Sequence, residues 1–553
     1  MTLLRRLEVP HNPEELPPTY LINHDVKPIE RERRSWTWLI FLSLWGTVAF
    51  NMSNWQLGAS LLAVGLNWWQ SFLATLIGHA FAAAIVVVAS FPGLYYNIAF
   101  PVSMRIAWGF NGSIFVVLNR ILLSIIWFGV QSWQGGLMTY VCLRAMWPSI
   151  DNIPATFPTS TGMTLPQFVG FIVYFVIQLP FLLLSPKQLR WLVTTSTAVG
   201  FLVQLILLIW ACATMDKFGS VLSNDAALAG GNLGWMFMYG ITVTMSSITS
   251  GTLSVCDYAR FASTPASGQW SQFVGFLPAW LSNVFGIITV AGTQDRFGTQ
   301  LWSVVELLVA IQDANPTHAT RAAVWFAAFA FLVCQLALNV VGNSFSGGTD
   351  MSTLLPKWIN IRRGQYLTAI LGLVINPWYL VSGAIIFISV MSAYTIFLQP
   401  FLGIIIAYYF LLQKERIKVQ DLYRLKGQSI YWYNYGVNWR AVVAWLVGVM
   451  PHIPGFLNVV RPSITVSSGA KHIYYLCSIT SFLLAFAVAL ALGYAFPVAA
   501  QKEFIASVTR DDARTMCEEF INSPDILRAE NVPVEVSHVF DGEKMSEKSK
   551  DEE

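Results

Sequence analysis

Long apolar segments separated by short polar stretches occupy the chain from residue 37 to residue 498. A run of about 20 apolar residues is long enough to cross a bilayer as a helix. Because a chain embedded in lipid must satisfy its backbone hydrogen bonds internally, helices are the expected elements. The pattern predicts an all-α polytopic membrane protein with twelve transmembrane helices, at residues 37–65, 69–92, 113–146, 166–185, 192–213, 233–255, 271–293, 322–346, 366–383, 385–411, 439–457 and 473–498.

The composition supports this interpretation. The chain has 553 residues, of which 55% are hydrophobic and only 11% are charged, whereas soluble proteins have about 25% charged residues. The net charge of +3 is small and gives no indication of nucleic-acid binding. The six cysteines show no paired spacing, so we interpret them as packing residues rather than as disulfides or metal ligands.

Basic residues fall mostly on one side of the predicted spans. Of the 33 Lys and Arg residues, those on the opposite side are only Arg144, Lys217, Arg296, Arg321, Arg461 and Lys471. Arg120 and Arg440 are taken to lie at the ends of spans and are counted on the side that holds both tails. Since cytoplasmic loops are enriched in Lys and Arg, the sequence predicts that both termini are cytoplasmic.

Five regions follow from this topology. A cytoplasmic N-terminal tail (1–35) precedes a core of ten helices (36–412), a cytoplasmic loop (413–438), helices 11 and 12 (439–498) and a cytoplasmic C-terminal tail (499–553). The C-terminal tail is acidic and polar, so we predict that it is disordered. Its lysines are candidate modification sites, and ubiquitin-dependent endocytic regulation through the tails is an expectation.

The segment 127–136, Trp-Phe-Gly-Val-Gln-Ser-Trp-Gln-Gly-Gly, places polar side chains inside an apolar span. An unpaired primary amide in hydrocarbon costs several kcal/mol, so Gln131 and Gln134 must face protein, water or a ligand. Trp127 and Gln131 are four apart and share one helix face, which suits a planar polar solute. The alternative is a packing seam between helices, in which glycines permit close approach and the glutamines bond across it.

Two spans carry polar, glycine-containing runs, at 51–58 in span 1 and at 244–252 in span 6. They occupy corresponding positions in two successive halves of five spans. Discontinuous helices at such positions indicate the midplane site of a transporter, so the sequence predicts helix breaks there and a solute-binding role for Asn51, Ser53, Ser247 and Ile248. The alternative is that Ser and Thr bond the carbonyls of their own helix.

Span 8 adds Asn339 and Asn343, which again share a helix face. These candidate groups are uncharged, and no Lys or Arg falls well inside a predicted span. A charged solute would need a fixed counter-charge, so a site built from these residues favours a neutral heterocycle that forms hydrogen bonds. The asparagines would otherwise tie helices together.

Several motifs, taken in order, resemble the nucleobase–cation symporter-1 family, and within it the fungal Fur-type permeases for uracil, allantoin and uridine. The motifs are Asn23-His24-Asp25-Val26-Lys27-Pro28, Asn67-Trp68-Trp69-Gln70, Trp127-Phe128-Gly129-Val130-Gln131, Gly347-Gly348-Thr349-Asp350-Met351, Asn360-Ile361-Arg362-Arg363-Gly364, Asp421-Leu422-Tyr423 and Val437-Asn438-Trp439-Arg440. The resemblance implies a five-plus-five inverted repeat of the LeuT type with two extra helices. It also implies alternating access, proton symport and a plasma-membrane location.

The resemblance also implies roles for single residues. Trp127 corresponds to a tryptophan that stacks on the substrate, and Gln131 to its partner amide. Asn343 corresponds to an asparagine that bonds the heterocycle, with Asn339 just behind it. The expected outward gate is Met391 with Tyr394, and Asp25 is expected in a cytoplasmic gating segment.

Two departures from the family pattern matter. Ile248 stands where a bacterial hydantoin transporter of the family has a second stacking tryptophan, so one wall of the site is expected to be aliphatic. Ala337 and Leu338 replace a Ser-Thr pair that coordinates sodium, which favours proton coupling over sodium. His79, Asp257 and Glu306 are candidate proton carriers, although a lone His is more often a packing residue and Asp257 more often an ion pair with Arg260.

The leading hypothesis is a secondary active symporter that imports a nucleobase-like heterocycle such as uracil, allantoin or uridine with protons. The alternatives are a transporter of thiamine or another vitamin or nucleoside, and a solute receptor that does not transport. No cofactor or metal is expected. An enzyme is disfavoured because paired carboxylates, His/Cys clusters and phosphate loops do not occur at catalytic spacing, and a channel is disfavoured because a repeated selectivity filter is absent.

Overall fold

The computed structural model describes residues 8–9, 21–23, 25–154, 156–158, 161–184, 186–215, 226–381, 383–424 and 429–523. These residues form helices joined by turns and by isolated β-bridges. Among them, nine helices are long and apolar enough to cross a membrane, and a shorter apolar helix begins at Trp38. The protein is therefore an all-helical polytopic membrane protein, as the sequence predicts, while the count of twelve spans stays a prediction.

In chain order the α-helices are α1 (Trp38–Ala49), α2 (Met52–Ala63), α3 (Trp68–Ala89), α4 (Phe91–Tyr96), α5 (Phe100–Trp108), α6 (Phe110–Met146), α7 (Leu165–Gln178), α8 (Pro186–Ala213), α9 (Gly230–Leu253), α10 (Val255–Ala259), α11 (Pro265–Phe297), α12 (Val304–Ala314), α13 (His318–Leu338), α14 (Phe345–Leu354), α15 (Ile361–Val374), α16 (Ala384–Ala393), α17 (Thr395–Ile406), α18 (Trp439–Val449), α19 (Ile453–Val460), α20 (Ser468–Tyr475), α21 (Cys477–Ala495), α22 (Ala499–Ser507) and α23 (Arg510–Ile521). Short 3₁₀ turns and two π-helices, Asn339–Ser344 and Ala407–Leu412, connect or extend them.

The predicted break in span 1 is confirmed, and it lies at the start of the polar run. The chain leaves α1 at Phe50, and Asn51 is extended, with φ −110° and ψ 170°. The Asn51 side chain accepts a hydrogen bond from the backbone N–H of Asn54 at 3.0 Å, which is the usual way to cap a new helix. Two helices, α1 and α2, thus meet end to end inside one span.

The predicted break inside residues 244–252 is wrong, because α9 continues to Leu253. Most hydroxyl groups of that run donate to carbonyls of their own helix instead. Thr244 bonds Gly240 at 2.8 Å, and Thr249 bonds Met245 at 2.9 Å. Such local bonds leave the helical ladder intact. The helix ends at Ser254, directly after the run, and α10 starts there.

The junction between α13 and α14 is a π-helix, Asn339–Ser344, which continues both without a gap. The N–H of Phe345 bonds the carbonyl of Val340. In an α-helix, the N–H of Phe345 would bond the carbonyl of Val341 instead. The π-helix therefore leaves the Val341 carbonyl without its usual backbone donor. Single π turns of this kind are frequent at functional sites.

The described parts of both tails lie on one face of the molecule, which we call the tail face. Arg34, ahead of α1, pairs with Glu518 of α23 at 2.6 Å. The prediction of a disordered C-terminal tail is wrong for residues 499–521, which form α22 and α23. Cys517 and Ile521 on α23 are buried, because this helix has an apolar stripe that the charge-rich composition conceals. Residues 524–553 lie outside the described part of the chain.

A buried charge cluster joins three elements near the tail face. Arg120 of α6 pairs with Asp257 of α10 at 2.7 Å and with Asp350 of α14 through two of its nitrogens. The backbone N–H of Phe100 donates to Asp257 at 2.9 Å. The expected pair of Asp257 with Arg260 is wrong, since the Arg260 side chain bonds the Asp257 carbonyl and the carbonyl of Asp25.

The same cluster corrects the assignment of Arg120 to the end of a span. Because α6 begins at Phe110 rather than at residue 113, Arg120 lies well inside the helix, and it is completely buried. Burial of an arginine is tolerated when carboxylates pair with it. Arg120 is therefore a structural cation that holds α6, α10 and α14 together.

We expect Arg120→Gln to destabilise the protein by about 3–5 kcal/mol, because it leaves two buried carboxylates without a cation. Arg144→Gln is the matched control, since Arg144 also pairs with two carboxylates, Asp151 and Asp313, but both of those are exposed. That change should cost about 0–1 kcal/mol. Thermal stability of the detergent-solubilised variants measures both, and equal losses would contradict the role of Arg120.

Candidate functional site

A cavity of about 90 Å³ opens among the irregular segments of the fold. It lies between the α1–α2 break, α6, the end of α9 with α10, the π-helix and α16. The predicted residues that line it are Asn51, Ser53, Trp127, Gln131, Ser247, Ile248, Asn343 and Met391. These eight residues come from five separate segments of the chain, and the fold brings them together at one cavity.

The walls of the cavity are apolar on two sides. Trp127, on α6, is half-buried and presents its ring at the edge of the cavity. Ile248 lines the cavity from α9, so an aliphatic side chain stands where the resemblance implied a second tryptophan. A further aromatic wall is contributed by Trp45 of α1, which the sequence analysis did not single out. Its signal was its position, close before the break in the same span.

Gln131 belongs to a cluster of buried amides. Gln335 of α13 donates from Nε2 to Oε1 of Gln131 at 2.6 Å and to Oε1 of Gln134 at 2.8 Å. Ser53 of α2 donates to Gln134 at 2.5 Å, and Gln131 donates to Ser53 at 3.1 Å. We call these four residues the amide cluster. It joins α2, α6 and α13 beside the cavity, and Gln335 is the member that the sequence analysis missed as a site residue.

The other face of the 127–136 segment is a packing seam. A Cβ atom on Gly129 would lie 2.6 Å from the carbonyl oxygen of Gly372, and one on Gly136 would lie 2.4 Å from Cα of Phe171. A Cβ atom on Gly135 would enter the ring of Tyr174. The packing-seam interpretation is therefore confirmed for this side of α6, and the solute-site interpretation of the other side stays a prediction.

The two asparagines of span 8 have different surroundings. Asn343 is half-buried and lines the cavity. Asn339 is fully buried behind it and does not line the cavity. Its amide nitrogen donates to Ser132 at 2.9 Å and to Gln178 at 3.0 Å, and its oxygen accepts from Asn343 at 3.0 Å. Asn339 is thus a support for Asn343.

Only one of the three predicted gating residues lines the cavity. Met391 does so from α16. The Tyr394 hydroxyl instead donates to Asn119 of α6 at 3.0 Å. Asp25 lies in the N-terminal segment, where its carbonyl accepts from Arg260 at 2.9 Å. The gating roles of Met391, Tyr394 and Asp25 stay predictions.

The three candidate proton carriers lie apart from the cavity lining. His79 is buried in α3, with Nδ1 at 2.8 Å from the carbonyl of Thr75. Asp257 belongs to the buried charge cluster. Glu306 is exposed on α12. Among the described residues that line the cavity, none carries a charge.

Together these features define a class of protein. A cavity lined by uncharged polar groups and aromatic rings, set between discontinuous helices of a polytopic membrane protein, is the architecture of a secondary transporter. Its chemistry is binding by stacking and by amide hydrogen bonds. The described residues of the lining include no Cys, His, Lys, Asp or Glu.

Comparison with known proteins identifies the family. Residues 28–478 match the family model described as permease for cytosine/purines, uracil, thiamine, allantoin. In Saccharomyces cerevisiae, the chain is similar to the allantoin permease, with 34% identity over 87% of this chain and 76% of the relative, and to the uracil permease, with 35% identity over 87% and 77%. It is also 34% identical to the uridine permease over 88% of this chain and 76% of the relative. The chain belongs to the nucleobase–cation symporter-1 family, whose members are permeases and not enzymes.

Solved structures share the fold. The inward-facing conformation of Mhp1 superposes with a TM-score of 0.66 at 20% identity, covering 90% of this chain and all of Mhp1. Mhp1 in a closed conformation with bromovinylhydantoin bound superposes with a TM-score of 0.64 at 21% identity, covering 88% of this chain. The family resemblance drawn from the motifs is confirmed, and so is the all-helical fold.

The contrast between the two asparagines gives a test. We expect Asn343→Ala to weaken solute binding by roughly fivefold to a hundredfold, because a buried hydrogen bond to the solute is lost. Asn339→Ala should mainly lower thermal stability and surface expression, because it removes three contacts inside the seam. Solute affinity and melting temperature, measured for both variants, distinguish the two roles. Reversed effects would place Asn339, not Asn343, in the site.

Proposed function

We propose that the protein is a secondary active symporter that imports a neutral nucleobase-like heterocycle, of the uracil, allantoin or uridine type, together with protons. The observation that carries this proposal is the uncharged lining of the cavity, with Trp127 beside the amides of Gln131 and Asn343. A neutral solute loses little hydration free energy in such a site, whereas a charged solute needs a counter-charge there.

The amides match the edge of such a ring. A primary amide donates and accepts at the same time. A uracil-like ring presents N–H groups beside carbonyl oxygens, so one amide pairs with both. Trp127 supplies a flat surface on which the ring stacks. The solute is thus recognised by one stacking contact and by two amides on different helices.

The names of the relatives agree with this solute class. Allantoin, uracil and uridine permeases are 34–35% identical to the chain. A thiamine transporter of Saccharomyces cerevisiae is 27% identical. Thiamine carries a permanent positive charge, and no carboxylate lies among the described residues of the lining. The proposal therefore favours a neutral ring over thiamine.

The α1–α2 break supports protons rather than sodium. Backbone carbonyls freed by a break can coordinate sodium in transporters. Here, the Ala49 carbonyl accepts from the side chain of Asn54 at 3.0 Å, the Val48 carbonyl from Asn51, and the Asn51 carbonyl from Gln204 at 3.4 Å. Ala337 and Leu338 offer no side-chain oxygen. Amide donors thus occupy the acceptors that a cation would need.

Uptake measurements test the proposal directly. Cells that express the protein should accumulate radiolabelled uracil, allantoin or uridine against a gradient. Because protons are the proposed coupling ion, a protonophore should abolish accumulation, while replacement of sodium by choline should leave it unchanged. Dependence on sodium at constant pH would contradict proton coupling. Saturable binding without accumulation would indicate a receptor instead.

Trp127→Ala should weaken binding of the same solute by roughly tenfold to a hundredfold, since stacking of a base on an aromatic ring contributes about 1–3 kcal/mol. Trp325→Ala is the matched control. Trp325 is also half-buried, but it stacks on Phe329 of its own helix with ring centroids 5.2 Å apart and does not line the cavity. The control should bind with normal affinity. Equal affinity of both variants would remove Trp127 from the site.

A further inference from the structure

We call the cavity beside Trp127, Gln131 and Asn343 the solute cavity. A second cavity, smaller and almost entirely apolar, lies between the solute cavity and the tail face. Leu44, Tyr258 and Val341 line both cavities. On its far side this second cavity is lined by Trp36, which precedes α1, and by Phe261, which follows α10. We call it the vestibule. The three shared residues place the vestibule directly against the solute cavity.

Tyr258 stands at the boundary of the two cavities. It lies in α10, one turn after the break at Ser254, and it is only 5% exposed. Its ring stacks on Trp36, with centroids 6.2 Å apart and an interplanar angle of 25°. Phe345 of α14 packs against the same ring with a centroid distance of 6.3 Å. The ring of Tyr258 is thus part of an aromatic layer that separates the solute from the tail face.

The hydroxyl of Tyr258 makes a bond that the π-helix requires. It donates to the carbonyl of Val341 at 2.9 Å and lies 3.2 Å from the Ser346 hydroxyl. The π turn has taken the N–H of Phe345 from that carbonyl. A buried carbonyl needs a donor, and Tyr258 supplies it. Asn343, which lines the solute cavity, belongs to the same π-helix.

We propose that Tyr258 is the gate between the solute cavity and the vestibule, and that its bond to Val341 couples this gate to the segment that carries Asn343. The inference rests on the proposed function, because it assigns the inner gate of that same solute site. In the closed state the ring fills the boundary and the hydroxyl completes the π-helix. For the solute to pass toward the tail face, the Tyr258 ring must leave the boundary between the two cavities. Water must then replace the Tyr258 hydroxyl as the donor to the Val341 carbonyl.

Two features explain why Tyr258 is suited to this role. The break at Ser254 separates α10 from α9, so α10 can change direction without bending the longer helix. The carbonyl of Val341 is a hydrogen-bond acceptor in both states, bonded to Tyr258 when closed and to water when open. A change of the π-helix at Asn343 on solute binding therefore alters the geometry of the gate bond.

Accessibility of the solute cavity from the tail face tests the gate. Ser250 lines the solute cavity and is half-buried, so Ser250→Cys is the reporter. It is placed in a Cys212→Ala background, because Cys212 is the one free cysteine that is not buried. Everted vesicles expose the tail face, and a charged methanethiosulfonate that does not cross the membrane is added. The measurement is the rate of labelling at residue 250.

Tyr258→Phe keeps the ring and removes the hydroxyl, so it should raise the labelling rate at least about fivefold, the population change expected from loss of one hydrogen bond in the closed state. Tyr258→Ala should raise it further. Ile40→Ala is the matched control, since Ile40 lines only the vestibule, and it should leave the rate within about twofold, because it opens no path through the gate and removes no polar partner. Labelling from the opposite face should not increase in any variant.

An unchanged labelling rate in Tyr258→Phe would overturn the proposal, and so would an equal increase in Ile40→Ala. If Tyr258→Ala fails to reach the membrane, Tyr258→Phe decides. If neither variant reaches it, Tyr258 is a structural residue and the proposal fails. The labelling assay needs no substrate. Failure of uptake in the parent protein would therefore overturn the proposed function and leave the gate result standing.

Discussion

Pairing of buried amides is the constraint on which the arrangement of the cavity depends. Ser53, Gln131, Gln134 and Gln335 come from three helices, and each of the four bonds at least one of the others. An unpaired amide at this depth costs several kcal/mol, so none of the three helices can move away without loss. The cluster therefore fixes α2, α6 and α13 relative to one another and holds the Gln131 amide at the cavity.

Charges are kept apart from this site. The buried cluster of Arg120, Asp257 and Asp350 stabilises the elements next to the tail face, while the described cavity lining is neutral. The separation has a physical reason. A charge in the lining would lose hydration when a neutral solute binds and would therefore select for an ionic solute. A neutral lining lets stacking and amide geometry determine which ring is bound.

The sequence was sufficient to predict the features that depend on composition and on the spacing of apolar and polar residues. Helical spans, the break at Asn51, and the common location of Trp127, Gln131 and Asn343 follow from apolar length and from the cost of unpaired amides. It was insufficient where two local solutions compete. The run at 244–252 has hydroxyls that are compatible with either a break or a helix. The helix is preserved because the hydroxyls of Thr244, Thr249 and Thr252 each donate to a carbonyl one turn back.

The sequence also could not predict which distant side chains pair with each other. Asp257 has Arg260 as its near neighbour in the chain, yet its carboxylate pairs with Arg120 of a distant helix. The direction of a side chain depends on the packing of α10, which no local pattern encodes. Trp45 and Gln335 were missed for the same reason, since a buried Trp or Gln on one helix reads identically whether it faces a cavity or a neighbouring helix.

Irregular backbone surrounds the solute cavity of this protein. The α1–α2 break, the α9–α10 break and the π-helix all border the solute cavity. At the α1–α2 break, the side chain of Asn54 donates to the carbonyl of Ala49. At the π-helix, the hydroxyl of Tyr258, from α10, donates to the carbonyl of Val341. Such bonds have an alternative partner in water, so their strength depends on whether the cavity is open. Ser53 and Asn343, which line the cavity and are predicted to bind the solute, lie close in the chain to these bonds. We therefore propose that occupation of the cavity and the state of the backbone around it belong to one equilibrium, as alternating access requires.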